Sequence, residues 1–128
     1  MKRKIDFVFL IFCLCLFLFS CSSGPSYFNF PDDPAFRERF TGTWRSEASN
    51  GSYALTIFNA DGTFSESSFN RNHSLISTYA GLYKVSANQF MMQVITPRRE
   101  VLFNYNFLDN DTITISRGRN NFLYRRTD

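Results

Sequence analysis

The sequence predicts an all-β domain, an antiparallel meander of short strands. Three observations carry this. Eight segments alternate apolar and polar residues with period two, the repeat of a strand with one dry face. Short connections rich in Gly, Asn, Asp and Pro punctuate them. No segment after Phe40 repeats its apolar residues at helical spacing. Short turns joining strands with one wet face describe a closed barrel and a two-sheet sandwich equally well.

The strands are expected at residues 43–47, 53–58, 63–68, 79–85, 89–96, 101–107, 112–116 and 122–126. Asn59-Ala60-Asp61-Gly62 is a hairpin turn with Gly at its left-handed position. Residues 86–88, 97–99, 109–111 and 117–121 are further tight turns, and 69–78 is the one longer connection. Alternation puts Tyr53, Leu55 and Ile57 on the dry face. It does the same for Tyr79, Gly81, Tyr83 and Val85, for Phe90, Met92 and Val94, and for Val101, Phe103, Tyr105 and Phe107. Ile113, Ile115, Phe122 and Tyr124 complete that face, while Asn104 and Asn106 suit water. Ahead of the strands, Asp33-Pro34 is a helix-start signal, and Phe36 and Phe40 share one face of a short helical turn.

The first 20 residues read as an address. Lys2, Arg3 and Lys4 precede an apolar run of 13 residues, Phe7 to Phe19. That is too short to span a bilayer, which takes about 20 residues, and is the pattern of a secretory signal. The run ends in Leu18-Phe19-Ser20-Cys21, which resembles the bacterial lipobox. There a thiol at the new N-terminus takes diacylglycerol as a thioether. Two or more acyl chains hold a protein stably on a membrane, at about 0.8 kcal/mol per buried CH2. Cys13 and Cys15 leave with the signal, so Cys21 is the only mature cysteine and no disulfide forms within the mature chain. Ser22, where an Asp would retain an enterobacterial lipoprotein in the inner membrane, favours the outer membrane of the cell envelope. Residues 22–34 have linker composition, with Pro25, Pro31, Pro34 and Gly24. The expected organisation is a signal peptide at 1–20, a lipidated tether at 21–35 and a barrel domain at 36–128.

Removing the signal takes away Lys2, Arg3, Lys4 and Asp6, so the net charge falls from +3 to +1. A near-neutral chain lacks the concentrated cationic face that nucleic acid requires. Five of the 16 Phe go with the signal, and the remaining aromatics are too many to leave in water.

Phe40-Thr41-Gly42-Thr43-Trp44 resembles the first-strand signature of lipocalins. An aromatic-Asn-x-Asp-Gly-Thr-Phe hairpin follows (Phe58 to Phe64), then Gly81-x-Tyr83-x-Val85, Asp111 to Ile115 and a closing Tyr124-x-Arg126. The order is similar to that of small lipocalin-like domains on bacterial lipoproteins and covers Phe40 to Arg126. The resemblance implies an eight-stranded up-and-down barrel. Strand parity then brings Gly42 and Trp44, at the start of the first strand, to the same end as Arg126, at the finish of the last. In lipocalins the corresponding Arg packs over the Trp ring, a contact worth about 0.5–2 kcal/mol.

A barrel of eight strands is just wide enough to be filled by side chains or to hold one small ligand. Tyr53, Leu55, Phe64, Tyr83, Met92, Phe103 and Tyr105 are the lining candidates, with tyrosine hydroxyls to fix a ligand's orientation. The same residues also describe a filled core. The sequence offers little chemistry: His73 is the only histidine, and no nucleophile-elbow or phosphate-loop pattern occurs. Asp109-Asn110-Asp111 lacks the glycine and distal Glu of a calcium loop. No enzyme activity, metal or cofactor is expected, and a monomer is the expected state. Parity gathers Arg71, Arg98, Arg99, Arg117 and Arg119 in the connections at one end, called here the top. The tether reaches the first strand from the bottom, so this basic rim is expected to face away from the membrane. Two readings remain: a lipid-anchored barrel holding a small apolar, amphiphilic or anionic ligand, or a filled barrel that works through its basic rim.

Overall fold

The structure, a computed structural model, describes residues 26–95 and 98–127. The signal, Cys21, Thr96, Pro97 and Asp128 lie outside the described residues. Eight strands close into one antiparallel barrel in chain order. They are β1 (Gly42–Glu47), β2 (Tyr53–Phe58), β3 (Thr63–Phe69), β4 (Leu75–Val85), β5 (Gln89–Val94), β6 (Arg99–Asp109), β7 (Thr112–Arg117) and β8 (Asn120–Arg126). The first and last strands meet through Trp44↔Arg126 and Arg45↔Arg125, so the sheet has no second layer and the sandwich is excluded.

The expected long connection at 69–78 is mostly strand. Asn70 folds it into a tight hairpin: its side-chain Oδ1 accepts from the backbone N–H of Asn72 (2.9 Å) and Ser74 (3.0 Å). His73 takes the left-handed conformation there, φ 67°. β4 therefore starts at Leu75, and β6 runs two residues beyond the expected strand at each end.

A short helix, α1 (Pro34–Phe40), plugs the bottom. Asp33 caps it by accepting from Ala35 N–H at 3.0 Å, and Pro34 supplies the fixed first turn. Phe40, at its end, is 1% exposed. Its ring lies 4.7–5.5 Å from those of Tyr105, Phe90, Phe58 and Phe107. The Trp44 indole N–H donates to the Phe40 carbonyl at 2.7 Å. The Arg126 guanidinium lies 4.3 Å from the Trp44 ring centroid. It also donates to the carbonyls of Thr41 (2.6 Å), Arg39 (3.0 Å) and Asn110 (3.2 Å). One side chain thus ties together the helix end, the β6–β7 turn and the barrel closure.

The packed unit begins before residue 36. Tyr27 and Phe30 are buried against Met91 on the outer face of the barrel, with Leu82 and Leu102 beside them. Tyr27 N–H donates to Glu100 near the top of β6 (3.3 Å), and Val85 N–H donates to Asp32 at the bottom of β4 (3.1 Å). Lys84, one residue from the lower end of β4, donates to the Tyr27 carbonyl at 3.0 Å, so residues 27–33 run from mid-height down the barrel wall. The chain enters β1 from the bottom, through α1, and residues 27–33 ahead of it form a strap along the outer wall.

Candidate functional site

The interior is built in cross-strand rows, because partners in a ladder share a face. On β1–β4 the bottom row is Gly42, Phe58, Phe64 and Gly81. The middle row is Trp44, Thr56, Glu66 and Tyr79, and the top row is Ser46, Ala54, Ser68 and Ser77. Across the barrel, Phe90, Met92 and Phe103 extend the apolar floor. Above it, Arg99 continues the inward face of Val101 and Phe103, and Arg117 that of Ile113 and Ile115. The barrel is therefore aromatic below and polar above.

The lower half is filled. A residual cavity of about 10 Å³ is lined by Phe58, Glu66, Phe90, Met92, Phe103 and Tyr124, among others. That is room for one water at most. Of the expected lining residues, Phe64, Tyr83, Met92, Phe103 and Tyr105 are inward and packed in this core. The tyrosine hydroxyls are spent on the bottom turns. Tyr83 donates to the Asn59 carbonyl (2.7 Å) and Tyr105 to the Ser86 carbonyl (2.5 Å). Burial pushes the Tyr83 hydroxyl up to about 12, so it stays a donor.

Tyr53 and Leu55 face outward, a correction that carries Ile57 with them. The Asp61-Gly62 hairpin pairs Phe58 with Phe64, and Phe64 faces the core, so β2 buries Ala54, Thr56 and Phe58. A slip of one residue exchanges the faces of a strand. Outside, Tyr53 stacks on Phe69 with centroids 5.1 Å apart, lies under Arg45 at 3.9 Å and bonds His73 Nδ1 at 2.8 Å. His73 is thus part of an outer-wall cluster.

The residues that distinguish the interior were missed in the sequence. Glu66 is 1% exposed, and Thr56 donates to its Oε2 at 3.0 Å. Its other oxygen has no hydrogen-bond partner among the described residues, and neither do the buried hydroxyls of Ser52 and Ser77. Burial pushes the Glu66 carboxyl up to about 8, with the Thr56 bond opposing the shift, so at neutral pH it is mostly the protonated acid. Arg117 donates to the Leu102 carbonyl (2.9 Å) and Arg99 to the Arg98 carbonyl (3.0 Å). Arg71, Arg98 and Arg119 lie exposed in the top turns. The five arginines of the expected rim therefore divide into two that face in and three that face out. A signal for Glu66 was present: once the hairpin register is set from Phe58 and Phe64, period two puts Thr56 and Glu66 inside. Among the described residues, no three of His, Cys, Asp and Glu come together as a metal-ligand set.

No protein-family model and no curated protein matches this chain. Solved structures do. A protein from Bacteroides thetaiotaomicron, solved by NMR, matches with a TM-score of 0.60 at 20% identity, over 72% of this chain and 92% of that one. A lipocalin-like protein from Bacteroides uniformis matches with a TM-score of 0.53 at 14% identity, over 70% and 99%. A protein from Bacteroides eggerthii matches with a TM-score of 0.53 at 12% identity, over 69% and 99%. At these identities the likeness is one of fold: the chain has a lipocalin-like barrel.

Proposed function

We propose that this is a non-catalytic, lipid-anchored protein of the bacterial cell envelope whose barrel takes the polar end of one small amphiphilic or anionic molecule through its top. The observation that carries the ligand reading is the two-toned interior. The aromatic half is sealed below by α1 and filled, which argues against a wholly apolar ligand. Above it, small hydroxyl side chains and Glu66 stand across from Arg99 and Arg117. Arginine suits an anionic group because its planar fork pairs with carboxylate or phosphate. The lipobox-like Leu18-Phe19-Ser20-Cys21 supports the anchor, and Ser22 supports the outer membrane. The test is mass spectrometry of small molecules extracted from the native protein, beside a Ser68→Leu variant that fills the top row. The expected result is a species that copurifies with the first protein and not the second. A native protein that yields no small molecule would sink the reading. The filled lower core favours a second reading, a surface module that works through Arg71, Arg98 and Arg119. It is expected to capture an acidic partner in a salt-sensitive way that Ser68→Leu leaves intact.

A further inference from the structure

We infer that the top of the barrel is a membrane-docking face: it lies against the anionic headgroups of the bilayer that holds Cys21. The inference rests on the lipid anchor of the proposed function and turns the top toward the membrane, where the sequence reading turned it away.

The first ground is chain length. Tyr27 is fastened at mid-height between Glu100, near the top of β6, and Lys84, near the bottom of β4, and residues 27–33 run downward from there. Only residues 22–26 separate Tyr27 from Cys21. An extended chain covers at most about 3.5 Å per residue, so Cys21 lies within about 20 Å of Tyr27. β6 has 11 residues. At about 3.3 Å each and a tilt of about 40°, it spans nearly 30 Å of barrel height. From mid-height the top plane is about 15 Å away, so the tether reaches it.

The second ground is what the top exposes. Phe28, Leu75, Ile76 and Ile95 are 72%, 60%, 51% and 60% exposed. Phe28 sits by the Arg98 guanidinium, 5.5 Å from ring centroid to carbon. Leu75 and Ile76 open β4, and Ile95 leads into the β5–β6 turn. Single exposed apolar residues are ordinary, but four at one end, beside the anchor, form a set. They stand among Arg71, Arg98 and Arg119, also exposed. Apolar side chains that enter the interface, together with cations that meet anionic lipid, are the composition of a peripheral membrane contact. The acids at that end are engaged. Glu47 pairs with Arg45 at 2.8 Å, and Glu100 pairs with Arg98 at 3.9 Å while bonding Tyr27 N–H and Gln93.

The mature chain has no cysteine other than Cys21, so a single introduced cysteine is a unique label. Ile76→Cys and Ile95→Cys report the top, Ile57→Cys and Leu108→Cys the bottom. Each acylated protein, its lipidation verified by mass, carries an environment-sensitive dye. It is reconstituted in phosphatidylcholine vesicles with and without phosphatidylglycerol and with a lipid-borne quencher. The expected result is quenching at 76 and 95 at least about threefold that at 57 and 108. The excess should rise with phosphatidylglycerol and fall on Arg71→Ser with Arg98→Ser and Arg119→Ser. Equal quenching at both ends, or more at the bottom, overturns the docking face while leaving the anchor standing. Blue-shifted top labels without quenching, at a level set by protein concentration, would mean a second copy covers the face and would also overturn it. A Cys21 without acyl chains removes the anchor itself.

Discussion

Replacing Glu66 with Gln should change how stability depends on pH. The carboxyl is 1% exposed and lies among Phe58, Phe90, Met92 and Phe103, with a single hydrogen bond, from Thr56. Burial lifts its pKa from 4.5 to about 8. Because the folded value is the higher one, the unfolded chain gives up this proton first as pH rises. The folded state is then disfavoured progressively from about pH 4.5 to about pH 8, and the loss levels off above both values. Each pH unit in that window costs about 1.4 kcal/mol, so from pH 5 to pH 7 the wild type should lose about 2–3 kcal/mol. That is a large share of the 5–15 kcal/mol, roughly, that holds a typical domain. The amide does not titrate, so Glu66→Gln should be flat across the window. Urea unfolding of both proteins from pH 5 to pH 9 measures the difference directly. His73 and the surface carboxylates are common to both and cancel in the subtraction. Parallel profiles would mean that Glu66 is ionised in the folded state, and the interior above Phe58 would then have to be wet.

Cys21→Ser should abolish metabolic labelling with palmitate and move the protein out of the detergent phase; labelling that survives would refute the lipobox reading. Trp44→Ala should cost about 3–5 kcal/mol in urea unfolding, as deletion of a buried large aromatic does. Arg126→Ala should cost about 2–3 kcal/mol, because it removes charged hydrogen bonds to the helix end as well as the ring contact. Gly81→Ala should cost about 3 kcal/mol or more, since overpacking forces the backbone apart. There an added Cβ would stand 1.9 Å from the Gln93 carbonyl oxygen, so a variant as stable as wild type would contradict the close β4–β5 approach.

The fold was legible because its signals are local. Each strand carries period two, and Asp61-Gly62 and Asp109-Asn110-Asp111 mark turns by backbone preference alone. Where reading failed, the deciding force was tertiary. Leu75 and Ile76 looked like part of a loop because their hairpin depends on the side chain of Asn70 and on His73 at positive φ. Tyr27 and Phe30 looked like odd residues in a linker because their partner, Met91, is over 60 positions away on an outer wall. The top arginines could be assigned to an end by parity. Their division into inward Arg99 and Arg117 and outward Arg71, Arg98 and Arg119 needed the exact strand ends.

The β2 strand, Tyr-Ala-Leu-Thr-Ile-Phe, makes the most consequential departure. Its larger apolar residues, Leu55 and Ile57, are turned outward, while Ala54 and Thr56 are turned in. β3 likewise turns polar residues inward, burying Glu66 and Ser68 while Ser65 and Ser67 face out. A sequence selected only for stability would place leucine or valine at 54, 56, 66 and 68. Such a change would remove a buried carboxyl and fill the top row, which favours the folded state. Local violations of patterning that persist in an otherwise consistent fold mark positions held for something besides folding. In this barrel they are not scattered. They form one contiguous wall on β2 and β3, above the aromatic floor. The lower aromatic core supplies the stability that lets the upper half carry them.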